Sequence, residues 1–301
     1  MADVVLGENR YGKAEVRIVA VSRDGGWHRL KDLNVSISLA GDFAATHLTG
    51  DNTGVLPTDT QKNTVYAFAK EHGIGEIEAF GLRLARHFVD GHAQTRLCRV
   101  RIEQYGWDRI PVQDGPAPHS FLRTGPETRT AEVSVAAGGA GLVVSGISGL
   151  VVLNSTGSEF HGFHQDRYTT LPETSDRVLA TEVSARWRHQ SNHQPNQQLD
   201  QHADWQTSFV ETRRHLLEAF AETYSLSLQR TLYAMGERAI RQREEIAEIR
   251  LALPNRHHFL VDLAPFGLTN ENEVFYASDR PYGLIEGTVR RAGVADSDLA
   301  W

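Results

Sequence analysis

The first half of the chain shows two hydrophobic patterns, one typical of strands and one typical of helices. Apolar and polar residues alternate over 13–23 and 33–43, as they do in paired antiparallel strands, and again over 95–107 and 128–137. Between these pairs the period becomes helical, and two apolar faces recur: Val65, Phe68 and Ala69 on a first helix, and Ile77, Phe80, Leu84 and Phe88 on a second. The order predicted is strand, strand, helix, helix, strand, strand.

The same order restarts near residue 141. Strand patterns cover 141–156 and 177–189, and four short closing strands are predicted within 248–291. Two helical faces lie between them: Phe209, Leu216, Leu217, Phe220 and Tyr224, then Leu228, Leu232, Met235 and Ala239. We therefore expect an α+β protein of two tandem units, 1–140 and 141–301, each an antiparallel sheet with paired helices on one face.

Charge and cysteine content narrow the class of partner and the compartment. With Lys+Arg 31 against Asp+Glu 38 and no basic block, no surface for nucleic acid or an anionic membrane is predicted. Cys98 is the only cysteine, which excludes an internal disulfide and fits a reducing cytosol. The first residues carry charges too early for a signal peptide, and the longest nearly apolar run is too short to span a bilayer. We expect a cytoplasmic protein with a small-molecule ligand.

The stretch "PTDTQ", residues 57–61, has the features of a helix start. Thr58 and Gln61 have the spacing of a capping box, in which each side chain satisfies a backbone N–H of the first turn. Such a start also leaves unpaired N–H groups and the positive end of the helix dipole facing outward. A seat for a small anion is therefore one interpretation, and a purely structural cap is the other.

Other residues are unusual for packing alone, but each has an ordinary explanation. Lys13 at a strand start would simply be solvated, Phe160 would be a core aromatic, and Arg177 would be an ion-pair partner. The histidines of the polar segment 189–204 invite a metal hypothesis, but they lack regular ligand spacing, so a solvated loop is favoured.

Taken in order, the motifs point to a family. The chain resembles the urate oxidase family over about Tyr11 to Glu286, through "YGKAEVR", "PTDTQKNTVYAFAKE", "LNSTGSEFHGF", "DRYTTLPETSDR", "SLQRTLYAM" and "LPNRHHFLVDL". The resemblance implies the tunnelling fold (T-fold), with two units per chain. It also implies subunits that join into barrels and stack as a homotetramer, with active sites between subunits.

The resemblance also implies a set of site residues. The catalytic residues would be Lys13, Thr58 and His257. The substrate-binding residues would be Thr58, Asp59, Phe160, Arg177, Leu228, Gln229 and Asn255. Phe160 would stack on the flat purine, while Arg177 and Gln229 would grip its edge through planar hydrogen bonds. Thr58 and Asp59 are expected from the neighbouring subunit, with Lys13 and Arg177 on the same chain's side.

The implied reaction is oxidation of urate by dioxygen and water to 5-hydroxyisourate and hydrogen peroxide, with no metal or other cofactor. The chain departs from the family pattern at Arg256, where many members have lysine, and its last residues, "DSDLAW", lack a peroxisomal ending, which favours the cytoplasm. Three alternatives stay open at this point: a metalloenzyme, a related tunnelling-fold enzyme that acts on a pterin, and a purine-binding protein without catalysis.

Overall fold

The computed structural model describes residues 3–139, 141–190 and 204–295. The element order is β1 (Tyr11–Ser22), β2 (Arg29–Gly41), α1 (Ala44–Leu48), α2 (Thr58–Glu71), α3 (Ile77–Asp90), β3 (Thr95–Val112), β4 (Gly115–Ala136), β5 (Gly141–Asn154), β6 (Leu179–His189), α4 (Trp205–Glu222), α5 (Leu228–Gln242), β7 (Ile246–Leu260) and β8 (Phe275–Arg290). Each strand pairs with its neighbours in chain order within an eight-stranded sheet, and the β1–β2, β2–β3, β3–β4 and β7–β8 pairs are antiparallel. The predicted α+β class is confirmed.

Two compact units divide the chain. The first takes its residues from 1–146, 188–209 and 295–301, and the second from 147–187 and 210–294. The sequence-based division into 1–140 and 141–301 stays a prediction. Among the described residues, none of the helices combines the length and the hydropathy needed to cross a bilayer.

The core of the first unit follows directly from strand alternation. Ile37 on β2, Val100 on β3 and Val133 on β4 stand opposite one another in the sheet, and all three side chains are buried. Helix α3 packs against β3 and β4 and buries the four apolar residues that its sequence spacing predicts. Gly81 permits this close approach, because a Cβ there would lie 2.9 Å from Val133 Cγ2. Burial of these apolar faces is the main favourable term for the layer.

In the second unit, helix α5 packs on β7 and β8 and buries the four predicted residues of its face. The predicted α4 face is wrong at Tyr224, which lies beyond the helix end and is 55% exposed. Its hydroxyl donates a hydrogen bond to Glu159 Oε2 at 2.8 Å. Tyr224 is therefore held by its hydrogen bond to Glu159 and does not belong to the buried face of α4.

Strand lengths differ from the prediction in two places. Strands β3 and β4 extend to a turn at residues 113–114, although the residues near this tip do not alternate in hydrophobicity. The four predicted closing strands are confirmed as strand but not as four separate elements, since they merge in pairs into β7 and β8. Strand β7 continues through Pro254, and its ladder with β8 shifts register between Asn255 and His257 and then resumes.

Candidate functional site

The first unit brings Lys13 close to the start of helix α2. Helix α2 packs on β1, and the Tyr11 hydroxyl accepts a hydrogen bond from the backbone N–H of Leu56 at 2.9 Å. Lys13 follows Tyr11 by two residues, and Thr58 follows Leu56 by two. Tyr11 was not among the predicted site residues. Its hydrogen bond nevertheless ties strand β1, which carries Lys13, to the loop that leads into Thr58.

The backbone of β1 is irregular at Lys13. The pairing with β2 shifts register between Lys13 and Val16, and Glu15 has a positive φ of 56°. The Glu15 N–H donates to Ser36 Oγ at 3.0 Å, which supports the bulge. Such strained positions persist only where surrounding contacts hold them, and they cluster at functional sites.

The start of helix α2 corrects the capping-box prediction. Pro57, at φ −53°, is the N-cap residue, Thr58 is the first helical residue, and no side chain caps the helix. Gln61 instead donates from Nε2 to the Leu56 carbonyl at 3.4 Å. Because Thr58 lies one position past the N-cap, its side chain does not cap the helix, and this half-buried residue remains available for other partners.

Asp59 links Lys13 electrostatically to the helix start. A hydrogen bond and charge from Lys62 lower the pKa of the exposed Asp59 carboxyl, and the charge of Lys13 contributes further. Lys13 therefore lies near Asp59 of its own chain. The structure describes a single chain, so the expectation that Thr58 and Asp59 complete the site of a neighbouring subunit stays a prediction.

The second unit holds Arg177 beside Phe160. The Arg177 Cζ atom lies 5.2 Å from the centre of the Phe160 ring, and Phe160 stacks on Phe163 at 4.9 Å with 14° between the ring planes. Phe160 and Thr174 exchange backbone hydrogen bonds of 2.8 and 3.1 Å. The half-buried Arg177 cation thus lies over an aromatic ring, and this pair suits a flat anionic ligand.

Leu228 and Gln229 occupy the first turn of α5. Ser227 is the N-cap, and its Oγ accepts from the Arg230 N–H at 3.2 Å. Leu228 is buried, so its side chain anchors the turn, whereas Gln229 is exposed and its amide can reach a ligand. The helix start thus presents one amide side chain on a fixed backbone.

Asn255 and His257 lie on either side of the register shift in β7. Both side chains are half-buried, and the His257 ring stacks near Phe259 at 5.7 Å. Burial lowers the pKa of His257, and the charges of Arg177 and His258 lower it further. The structure thus brings Phe160, Arg177 and His257 together in the second unit, and Lys13, Thr58 and Asp59 together in the first.

The metal hypothesis concerned histidines of segment 189–204, most of which lies outside the described residues. Among residues 3–139, 141–190 and 204–295, no group of three or more His, Cys, Asp or Glu side chains is arranged to hold a metal ion. Cys98 is buried, and burial raises the pKa of its thiol to about 12. This thiol is therefore not a reactive nucleophile at neutral pH.

Comparison with known proteins gives consistent matches over nearly the whole chain. The uricase family model matches residues 9–134 and 143–286. A uricase of Arthrobacter globiformis is 52% identical over 99% of this chain and 94% of its own, and a uricase of Oryctolagus cuniculus is 36% identical over 96% and 95%. The crystal structure of the Arthrobacter globiformis uricase superposes with a TM-score of 0.90 and covers 98% of both chains.

The electrostatic surroundings of His257 predict its titration. Its imidazole should be half-protonated below the ordinary value of 6.5, and Arg177→Gln should move the midpoint upward because one positive charge is removed. Imidazole NMR signals followed against pH measure both midpoints. Since the unfolded chain binds this proton more tightly, the stability that His257 contributes is complete above its unfolded pKa and is lost as the pH falls through the folded pKa.

Arg167→Gln is the matched control, because Arg167 is exposed and contacts Tyr168 instead. It should leave the His257 midpoint unchanged. A wild-type midpoint at or above 6.5, or an equal shift in both variants, would contradict the assigned surroundings of His257.

Proposed function

Since the chain belongs to the uricase family, we propose that it is a urate oxidase, which converts urate, dioxygen and water into 5-hydroxyisourate and hydrogen peroxide. The observation that supports this best within the site is Arg177, a half-buried cation beside the Phe160 ring. A purine anion offers both the flat face and the negative edge that this pair fits. The full-length relatives are uricases, so neither a pterin substrate nor a binding protein without catalysis is favoured.

The ring is bound by the second-unit residues. Phe160 stacks on the purine face, and Arg177 and the Gln229 amide hold its edge through planar hydrogen bonds. Leu228 contributes through its backbone at the start of α5, and Asn255 positions the ring and the small reactant above it through its side-chain amide. Holding the ring rigidly matters because dioxygen and then water must be placed over one face.

Proton transfer is assigned to Lys13, Thr58 and His257. Removing protons makes the purine electron-rich enough to reduce dioxygen, so the protein needs to supply acid–base groups at fixed positions. Lys13 acts through the Thr58 hydroxyl, and Asp59 lies beside them at the helix start. His257 has a lowered pKa and a largely neutral ring at neutral pH, so it can accept and return a proton.

We also propose that each active site combines two chains of a homotetramer. Lys13, Thr58 and Asp59 of one chain would complete the site built by Phe160, Arg177, Leu228, Gln229, Asn255 and His257 of a neighbour. The grouping of Lys13 with Asp59 in the first unit, and of Arg177 with His257 in the second, supports this division of the residues. A cytoplasmic location stays a prediction of the sequence.

The proposed activity is tested by incubating the purified protein with urate in air. The urate absorbance should fall while one peroxide forms for each urate consumed, and a chelator should not change the rate. Addition of catalase, which should remove the peroxide signal without slowing urate loss, is the control. Urate loss that stops with the chelator would support the metalloenzyme alternative, and no urate loss at all would contradict the proposed function.

The proton relay and the shared site are tested with one set of variants. Lys13→Met and Thr58→Ala should each lower kcat roughly a hundredfold, the usual loss when an acid–base group is removed. Binding of urate without dioxygen should be retained in both. Near-normal kcat in either variant would contradict its role in the relay.

The same variants reveal which residues share a chain. Lys13→Met mixed with Arg177→Gln and refolded together should recover activity well above either parent, because some sites then combine two intact residue sets. Lys13→Met mixed with Thr58→Ala is the matched control and should not recover, since both changes damage the same set. Recovery in neither mixture, while refolded wild-type protein is active, would contradict a site shared between chains.

A further inference from the structure

Arg177 is fastened at two points by one residue, Ser158. The Arg177 backbone N–H donates to the Ser158 carbonyl at 2.9 Å, and the Arg177 side-chain Nε–H donates to Ser158 Oγ at 3.2 Å. Ser158 is fully buried. A guanidinium has five donors, so the bond at Nε leaves the four of Nη1 and Nη2.

Those two nitrogens have no partner in the part of the chain that the structure describes. No carboxylate forms an ion pair with Arg177 there, and its guanidinium lies over the Phe160 ring and within electrostatic reach of His257. An unpaired guanidinium that is half-buried presents its end edge to a ligand. The bond to Ser158 thus occupies the Nε donor and leaves the Nη1 and Nη2 edge for a ligand.

Ser158 is also tied to the start of helix α5. Ser158 and Ser225 form a parallel bridge, in which the Glu159 N–H donates to the Ser225 carbonyl at 2.8 Å and the Ser225 N–H donates to the Gly157 carbonyl at 2.9 Å. Ser225 Oγ in turn accepts from Thr231 Oγ1 at 2.8 Å. Ser225 and Thr231 are fully buried, which protects these bonds from water.

One network of hydroxyl and backbone bonds thus joins Arg177 to the helix turn that carries Gln229. Ser225 Oγ donates to the Ser227 carbonyl at 3.1 Å, directly before Leu228 and Gln229. Arg177 and Gln229, the two residues proposed to bind the purine edge, are thus held by the same buried hydrogen-bond network. The separation of their hydrogen-bonding groups is set before the ligand arrives, which reduces the entropy lost on binding.

We propose that Ser158 is a positioning residue for urate binding, which holds the guanidinium of Arg177 so that its Nη edge faces the ligand. This inference rests on the proposed function. Ser158 does not touch the purine itself, and it acts only through Arg177. Its removal should therefore weaken binding without changing the chemical step.

The test is Ser158→Ala, which removes Oγ and keeps the backbone bonds. Titration with urate in the absence of dioxygen should show affinity about tenfold weaker than wild type, the effect of losing one hydrogen bond to a charged group. In air, KM should rise by a similar factor, while kcat stays within about twofold. The matched control is Ser175→Ala, an exposed serine two residues before Arg177, which should bind like wild type.

A double-mutant cycle separates positioning from general damage. In an Arg177→Gln background, Ser158→Ala should cause no further loss of affinity, because the group through which it acts is already gone. Wild-type affinity in Ser158→Ala, or an equal loss in both backgrounds, would overturn the positioning role while leaving the proposed function intact. Wild-type protein that does not bind urate would overturn both.

Discussion

The site depends on a positive charge that is partly removed from water without an ionic partner. Arg177 has no paired carboxylate in the described part of the chain, and burial lowers its pKa from the ordinary value. A guanidinium nevertheless stays protonated in proteins, so the cost of its desolvation remains in the unliganded protein. A purine anion would offset that cost, because it restores charged hydrogen bonds at the Nη edge. Burial lowers the pKa of His257 and the charge of Arg177 lowers it further, so the residue proposed for recognition and the one proposed for proton transfer are electrostatically linked.

Irregular backbone places the candidate catalytic groups. Strand β1 shifts register after Lys13, and strand β7 shifts register between Asn255 and His257. In a regular strand, side chains alternate between faces, and a bulge changes that alternation at one point. Long strands on each side hold these bulges in place. The sheet therefore holds the backbone rigid, and the two register shifts set which way the neighbouring side chains point.

The sequence predicted most where burial is periodic. The faces of α3 and α5 are confirmed residue by residue, because a helix buried on one side repeats its apolar residues at a fixed spacing. Strand ends were predicted less well, since β3 and β4 are extended by cross-strand pairs such as Trp107 with Arg123, which depend on residues distant in the chain. Strand β7 also continues past Pro254, and the shift in its register with β8 after Asn255 has no counterpart in the sequence pattern.

The candidate site, like the fold, was predicted from the sequence only in part. Motifs identified Arg177, Phe160 and His257, because the resemblance to one family extends over nearly the whole chain. They did not identify Tyr11 or Ser158, whose roles come from hydrogen bonds to Leu56 and Arg177 that no sequence spacing shows. The capping box at Thr58 was wrong for a local reason, since Pro57 already forms the N-cap.

The most direct test of this account is the affinity for urate, without dioxygen, of wild-type protein and of Arg177→Gln. Calorimetric titration measures binding before any oxidation occurs, and Arg167→Gln serves as the control for lost surface charge. The account predicts that Arg177→Gln weakens binding by about 2 kcal/mol, roughly thirtyfold, while Arg167→Gln binds like wild type. Equal affinity in all three proteins would contradict it, because the purine would then lie elsewhere.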